Sequence, residues 1–122
     1  MTDRPRASAD DHHEGTEVPH DEWNAWCEQA TSENSGRAVD VLRSDRALGE
    51  VRLAEGQQLV AIEHDVFGKT EALTIKCGTS AVPVSYVVAE PRSIRQRQNA
   101  AGEVEDVRIV DATGRRTLVD LG

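Results

Sequence analysis

Apolar and polar residues alternate in three successive segments near the middle of the chain. These segments cover residues 59–65, 73–77 and 82–88, and Gly68 and Gly78 lie between them. Such alternation places apolar side chains on one face of a β-strand, and glycine readily adopts the positive φ angles of tight turns. Because no helical periodicity separates the segments, we predict an antiparallel meander.

A helix is predicted ahead of these strands, over residues 21–31. Trp23, Trp26, Cys27 and Ala30 have the i, i+3, i+4, i+7 spacing of one helical face. Both tryptophans of the chain lie on this face, and rings of that size bury a large apolar area when a helix packs. We therefore expect the helix to dock on the β core through this face.

Shorter alternating segments flank the central three. Residues 39–41 and 51–53 precede them, and a turn is predicted at Glu55 and Gly56 before the first central strand. Residues 107–119 form a hairpin around a turn at 111–114. Pro83 within the third segment indicates an edge position or the start of a strand. The predicted fold class is mainly β (α+β), with one N-terminal helix followed by an antiparallel meander of about six to seven short strands. Since closure removes exposed edges, we expect a small barrel or roll, although an open two-layer sheet has the same pattern.

The first part of the chain has a different composition. Residues 1–18 are mostly polar and charged, so they cannot bury enough apolar surface to offset the entropy lost on ordering. We predict a disordered acidic tail over residues 1–18 and a single helix-plus-β domain over residues 19–122. No apolar signal sequence and no apolar run of membrane-spanning length occur, which favours the cytoplasm and no membrane partner.

The net charge bounds the choice of partners. The formal net charge is −8 at pH 7, and an acidic surface repels a phosphate backbone. Nucleic acid is therefore disfavoured as a partner. The two cysteines, Cys27 and Cys77, form neither a disulfide framework nor a CxxC pair, so we interpret them as buried apolar residues.

Two groups of residues are candidates for a site. His12, His13 and His20 lie among acidic residues, but nothing preorganises them for a metal, and we interpret them as part of a solvated tail. His64 and Asp65 could relay a proton, yet neighbours along a strand point to opposite faces. Because no nucleophile, phosphate-binding or metalloprotease motif occurs either, we predict no catalytic residue, no metal site and no cofactor.

Three arginines form the main basic cluster of the chain. Arg92, Arg95 and Arg97 follow one another closely, and Arg115 and Arg116 could join them in space. They are a candidate patch for another protein or a small anion. The alternative is an edge strand that charged side chains protect from aggregation, since Arg92, Ile94 and Gln96 alternate as they would along an exposed strand.

These features together resemble a family of small uncharacterised bacterial proteins known only as a domain of unknown function. The residues that carry the resemblance span about residues 20–121, and they are Trp23, His64 with Asp65, Leu73 with Ile75, Pro91 with Ile94, and the turn at Gly114 before Leu118. Relatives often carry a histidine at the position of Tyr86, so no catalytic histidine is transferred to that position. The resemblance implies the domain limits and the fold, and it implies no activity.

Three functions remain open from the sequence. The leading hypothesis is a non-enzymatic, soluble accessory or binding module, whose partner is another protein or a small anion. The alternative is an RNA-binding protein of the Sm-like small-barrel kind, which the net charge of −8 opposes. The third is a small hydrolase or isomerase, which a pocket that unites His64 with a carboxylate would favour.

Overall fold

The computed structural model describes residues 15–47, 49–79 and 81–122, and within them it forms one α-helix and a sheet of eight strands. The elements are β1 (Thr16–Glu17), a 3-10 turn (His20–Glu22), α1 (Trp23–Asn34), β2 (Ala38–Asp45), β3 (Gly49–Phe67), β4 (Thr70–Gly78), β5 (Pro83–Ala89), β6 (Pro91–Gln98), β7 (Val104–Asp111) and β8 (Arg116–Asp120). The predicted class, mainly β with one N-terminal helix, is confirmed. Among the described residues, no helix is long and apolar enough to cross a membrane.

The strands pair antiparallel in the order β1-β6-β7-β8-β2-β3-β4-β5. The expected closure into a barrel is wrong, because β1 and β5 end the sheet and do not pair with each other. The β5 end of the sheet nevertheless approaches β6 and β7 where the chain passes from β5 to β6 through Glu90, at φ 51°. Glu90 donates its N–H to the Glu71 carbonyl and accepts from the Ala112 N–H. The backbone hydrogen bonds of this one residue therefore connect the β5 end of the sheet to the rest, where a barrel would have a full set of hydrogen bonds between two strands.

One strand, β3, organises both halves of the sheet. It is 19 residues long, and it pairs with β2 up to Gln58 and with β4 from Leu59 onward. The sequence predicted two short strands with a turn at Glu55 and Gly56, but the chain bends here without leaving the sheet. The reason is that Gly56 adopts φ 63° and donates its N–H to the Asp40 carboxylate, so that the bend is accommodated within the ladder.

The helix covers the part of β3 that β2 leaves unpaired. Thr31 in α1 donates its hydroxyl to the Ile62 carbonyl at 3.1 Å and accepts from the Ile62 N–H at 2.9 Å. One side chain therefore satisfies both backbone groups that a neighbouring strand would have bonded. The helix continues three residues beyond the predicted end, to Asn34, whose amide donates to the Ala30 carbonyl.

The core lies between α1 and the inner face of the curved sheet. The predicted helical face is confirmed, because Trp23, Trp26, Cys27 and Ala30 are all buried. They pack against fully buried side chains of the strands, which include Leu59, Leu73, Ile75, Ile94, Ile109 and Val119.

The first described residues lie close to this core. Thr16 and Glu17 pair with β6, Val18 is buried, and the Val18 carbonyl accepts a hydrogen bond from Trp23 Nε1 at 3.0 Å. Residues 15–18 of the predicted tail therefore belong to the fold. The rest of that tail, residues 1–14, lies outside the described residues.

Candidate functional site

The three predicted patch arginines all lie on β6, but two of them are bonded within the chain. Arg97 donates to the buried Asp106 carboxylate from Nη2 at 2.7 Å. Arg95 donates to the Gly15 carbonyl at 2.9 Å and to Glu17 at 3.4 Å. Arg92 is exposed at the start of the strand. The patch stays a prediction, and in this conformation two of its three charges are offset by carboxylates of the chain.

The structure also decides two further expectations about the arginine cluster, namely the place of Arg115 and the exposure of the strand. Arg115 lies in the connection between β7 and β8, and its Nη2 is 3.3 Å from the carboxylate of Asp45 at the end of β2. Ile94, which the alternation of the Arg segment placed on an exposed strand, is fully buried. Gln96 accepts a hydrogen bond from Trp26 Nε1 at 2.9 Å, so this face of β6 packs under the helix.

A cluster of two histidines and one carboxylate lies at the N-terminal end of α1. Glu71 Oε2 is 2.7 Å from His20 Nε2 and 2.5 Å from His64 Nε2. The three residues come from the 3-10 turn, from β3 and from β4. One potential metal-ligating atom from each lies within 4.8 Å of the other two. A single carboxylate oxygen thus joins three separate elements of the fold.

The first turn of α1 holds the cluster in place. Asn24 Oδ1 is 2.6 Å from His64 Nδ1. The Trp23 ring packs edge-to-face against both imidazoles, with ring centroids 4.5 Å from His20 and 5.5 Å from His64. The side-chain exposure falls from 67% at His20 to 22% at Glu71 and 6% at His64, so the cluster is open to solvent on the His20 side.

The hydrogen bonds stabilise the charged form of the carboxylate. Burial alone raises the pKa of Glu71, but its hydrogen bonds and electrostatic interactions with His64 and His20 outweigh this effect, so that the pKa lies below its usual value. Glu71 therefore stays an anion, and an anion between two imidazoles attracts protons or a cation.

A shallow groove runs beside the cluster, between α1 and β3. His64, Asn24 and Cys27 contribute to its lining. Burial, with smaller contributions from the negative charges of Asp65 and Glu63, raises the pKa of the Cys27 thiol to about 12. A thiol with such a pKa is a poor nucleophile at neutral pH. The groove therefore brings no activated thiol to the cluster.

The β5 end of the sheet has an unusual surface. β5 is seven residues long, contains no charged residue and forms one edge of the sheet. Val84 is 45% exposed and Val87 51%, and Val82 just before the strand is 72% exposed. The prediction that Pro83 lies in an edge strand or at the start of a strand is confirmed, since it is the first residue of the edge strand β5.

The cluster of His20, His64 and Glu71 was not predicted, and the sequence contains a local pattern for only one of its pairs, His64 with Glu71. Phe67 pairs with Thr70 across a two-residue turn, and this register places Glu71 diagonally across from His64 on one face of the hairpin. The short Gly68-Lys69 turn could have indicated this pair. His20 lies 51 residues from Glu71 in the chain, and no local pattern connects them.

Comparisons with known proteins give a family and nothing further. The model of a family described as "Family of unknown function (DUF5335)" matches residues 14–122. The search of curated proteins and the search of solved structures found no match.

Proposed function

We propose that this chain, which belongs to the DUF5335 family of unknown function, is a non-enzymatic binding module that receives an extended segment of another protein along β5. The observation that carries the proposal is an uncharged edge strand of seven residues, with Val84 and Val87 about half exposed. Strand addition at such an edge is a common mode of peptide recognition.

The contrast between the two ends of the sheet supports this proposal. Proteins protect free strand edges by making them short or charged. β1 at the other end has only two residues, and Glu17 on it pairs with Arg95. β5 is longer and lacks a charge. Selection against aggregation would remove such an edge unless a partner covers it.

The backbone of β5 presents hydrogen-bonding groups to the open side. The Val87 carbonyl accepts a hydrogen bond from Arg43 Nη2 at 3.1 Å, which means that it points away from β4. Since backbone groups of alternate residues point to the same edge of a strand, Ser85 and Ala89 direct theirs outward as well. A partner strand can bond to these groups, with the flexible Arg43 side chain moving aside at Val87.

The other two hypotheses have less support. An RNA-binding surface needs exposed aromatic side chains beside basic ones. Both tryptophans are buried, however, and the Tyr86 hydroxyl donates to the Leu53 carbonyl, which leaves Phe67 as the exposed aromatic ring of the described residues. A hydrolase or isomerase is favoured by the convergence of His64 and Glu71. Both nitrogens of His64 are engaged, however, by Glu71 and Asn24.

The experiment is a selection of ten-residue peptides displayed on phage against the full chain, followed by affinity measurements on two variants. Ser85→Pro removes an outward N–H and keeps the ladder to β4, because proline is tolerated at an outward position of an edge strand. Ser85→Thr is the matched control. We expect selected peptides to bind the wild type and Ser85→Thr equally, and Ser85→Pro at least about tenfold more weakly. Equal binding to Ser85→Pro at an unchanged thermal midpoint, or no selected peptide at all, would contradict the proposal.

A further inference from the structure

The cluster at the N-terminal end of α1 has the composition of a metal centre. We propose that His20, His64 and Glu71 bind one divalent transition-metal ion of the zinc type. Two imidazoles and one carboxylate are a recurring ligand set for zinc, and they leave a fourth position for water. This inference does not depend on the proposed role of β5.

The present arrangement is close to the one that an ion requires. A tetrahedral ion with ligands at about 2.1 Å holds its donor atoms about 3.4 Å apart. Glu71 Oε2 now lies 2.7 Å from His20 Nε2 and 2.5 Å from His64 Nε2. The three ligand atoms lie within 4.8 Å of one another, so a rotation of the Glu71 side chain that lengthens these two distances, with a small adjustment of the exposed His20, would open the space for the ion.

The surroundings of His64 prepare it for this role. Asn24 Oδ1 accepts a hydrogen bond from Nδ1 of His64 at 2.6 Å, so Nδ1 keeps its proton, and Nε2 can offer its lone pair to a metal once the proton that it now shares with Glu71 has left. Metal-bound histidines are usually oriented in this way by a hydrogen bond to their second nitrogen. Trp23 fixes the planes of both imidazoles by edge-to-face packing.

Charge and access favour a cation at this place. Glu71 supplies a carboxylate between the two imidazoles, and the chain as a whole has a net charge of −8. His64 and Glu71 are held by the β3–β4 hairpin, whereas His20 is 67% exposed on the short turn before α1. An ion can therefore reach the cluster from solvent on the His20 side. As the metal binds, the protons on the two Nε2 atoms leave to solvent.

The test is a titration of the untagged, full-length protein with Co²⁺, followed by competition with Zn²⁺. Co²⁺ gives visible absorption bands when bound, and it quenches tryptophan fluorescence at short range. In a Trp26→Phe background, Trp23 is the one tryptophan, and its ring lies 4.5 Å from that of His20. We expect one Co²⁺ per chain, visible bands, quenching of Trp23, and reversal of both signals by Zn²⁺.

The four histidines of the chain supply matched variants, since His12 and His13 are not among the proposed ligands. His64→Gln and Glu71→Gln should abolish the bands, whereas the double variant His12→Gln/His13→Gln should keep them. Asn24→Ala should weaken binding about 10- to 100-fold, as for other residues that orient a ligand. Circular dichroism checks that each variant is folded.

Two results would overturn the inference. One is the absence of visible bands and quenching at millimolar Co²⁺. The other is binding that survives in folded His64→Gln and disappears in His12→Gln/His13→Gln, because the tail would then be the site. Ser85→Pro should bind Co²⁺ like the wild type, so that failure of either proposal is seen separately.

Discussion

Trp26 is the residue at which the helix is attached to β6. Its side chain is 8% exposed, and its Nε1 donates to Gln96 at 2.9 Å. We expect Trp26→Ala to lower the free energy of unfolding by about 3–5 kcal/mol, because it removes a large buried ring and leaves a cavity. Trp26→Phe should cost less, since most of the apolar contact stays. Urea denaturation measures both, and a loss under about 1 kcal/mol in Trp26→Ala would mean that the helix is not docked through this ring.

The two thiols test the burial of the helix and of the central strands. Burial raises the pKa of both Cys27 and Cys77, to about 12 for Cys27. Because the thiolate is the reactive form, neither residue should react with a disulfide reagent at pH 8 within the minutes that an exposed thiol needs. Both should react in concentrated urea. Rapid reaction of Cys27 in the native protein would show that the groove beside α1 opens to the core, and rapid reaction of Cys77 would show that the central strands are accessible to the reagent.

For single residues, the sequence predicts which side chains are buried much better than it predicts which distant side chains contact each other. The spacing of Trp23 and Trp26 is enough to predict a buried helical face, because periodicity is a local property. The meeting of His20 with Glu71 depends on the path of the chain over 51 residues, which no local pattern records. Likewise, the pairing of Arg97 with Asp106 depends on the β6–β7 register.

At the scale of the elements, α1 takes the place of a neighbouring strand beside β3, because Thr31 of the helix bonds to the β3 backbone. Thr31→Val removes the hydroxyl that bonds both backbone groups of Ile62 and keeps nearly the same volume. We expect a loss of about 1–3 kcal/mol, since two partly buried backbone groups lose their partner. Thr31→Ser keeps the hydroxyl and should cost under about 1 kcal/mol. If Thr31→Val and Thr31→Ser denature at the same urea concentration, the hydroxyl does not stabilise this contact.

The helix and most of the strands could be predicted from the sequence, whereas the continuity of β3 and the open form of the sheet could not. Alternation identified the strands around Ile62, Ile75 and Ile109 because one face of each is buried. Gly56 misled the prediction, since a positive φ serves a bend within a strand as well as a turn between strands. Whether a sheet closes depends on curvature and on the β5–β6 corner at Glu90. Neither of these leaves a periodic signal in the sequence.

For the whole molecule, the N-terminal limit of the domain can be tested by two truncations. Removal of residues 1–14 should shift the thermal midpoint by less than about 2 °C, because their sequence offers almost no apolar side chains. Removal of residues 1–18 should lower it by about 5 °C or more, which corresponds to about 1 kcal/mol for a domain of this size. This truncation loses β1, buried Val18 and the acceptor of Trp23 Nε1. Equal midpoints for the two truncations would show that β1 contributes no stability.

The central claim is that β5 presents an open backbone edge to a partner strand. Hydrogen exchange of individual amides, measured by NMR on the dilute full-length protein, tests it most directly. We expect the outward N–H groups of Ser85, Val87 and Ala89 to exchange rapidly, and those of Tyr86 and Val88, which point to β4, to be protected. A peptide selected for binding should then slow the three outward amides specifically. Strong protection of these three amides in the free monomer would contradict the claim, because the edge would already be covered.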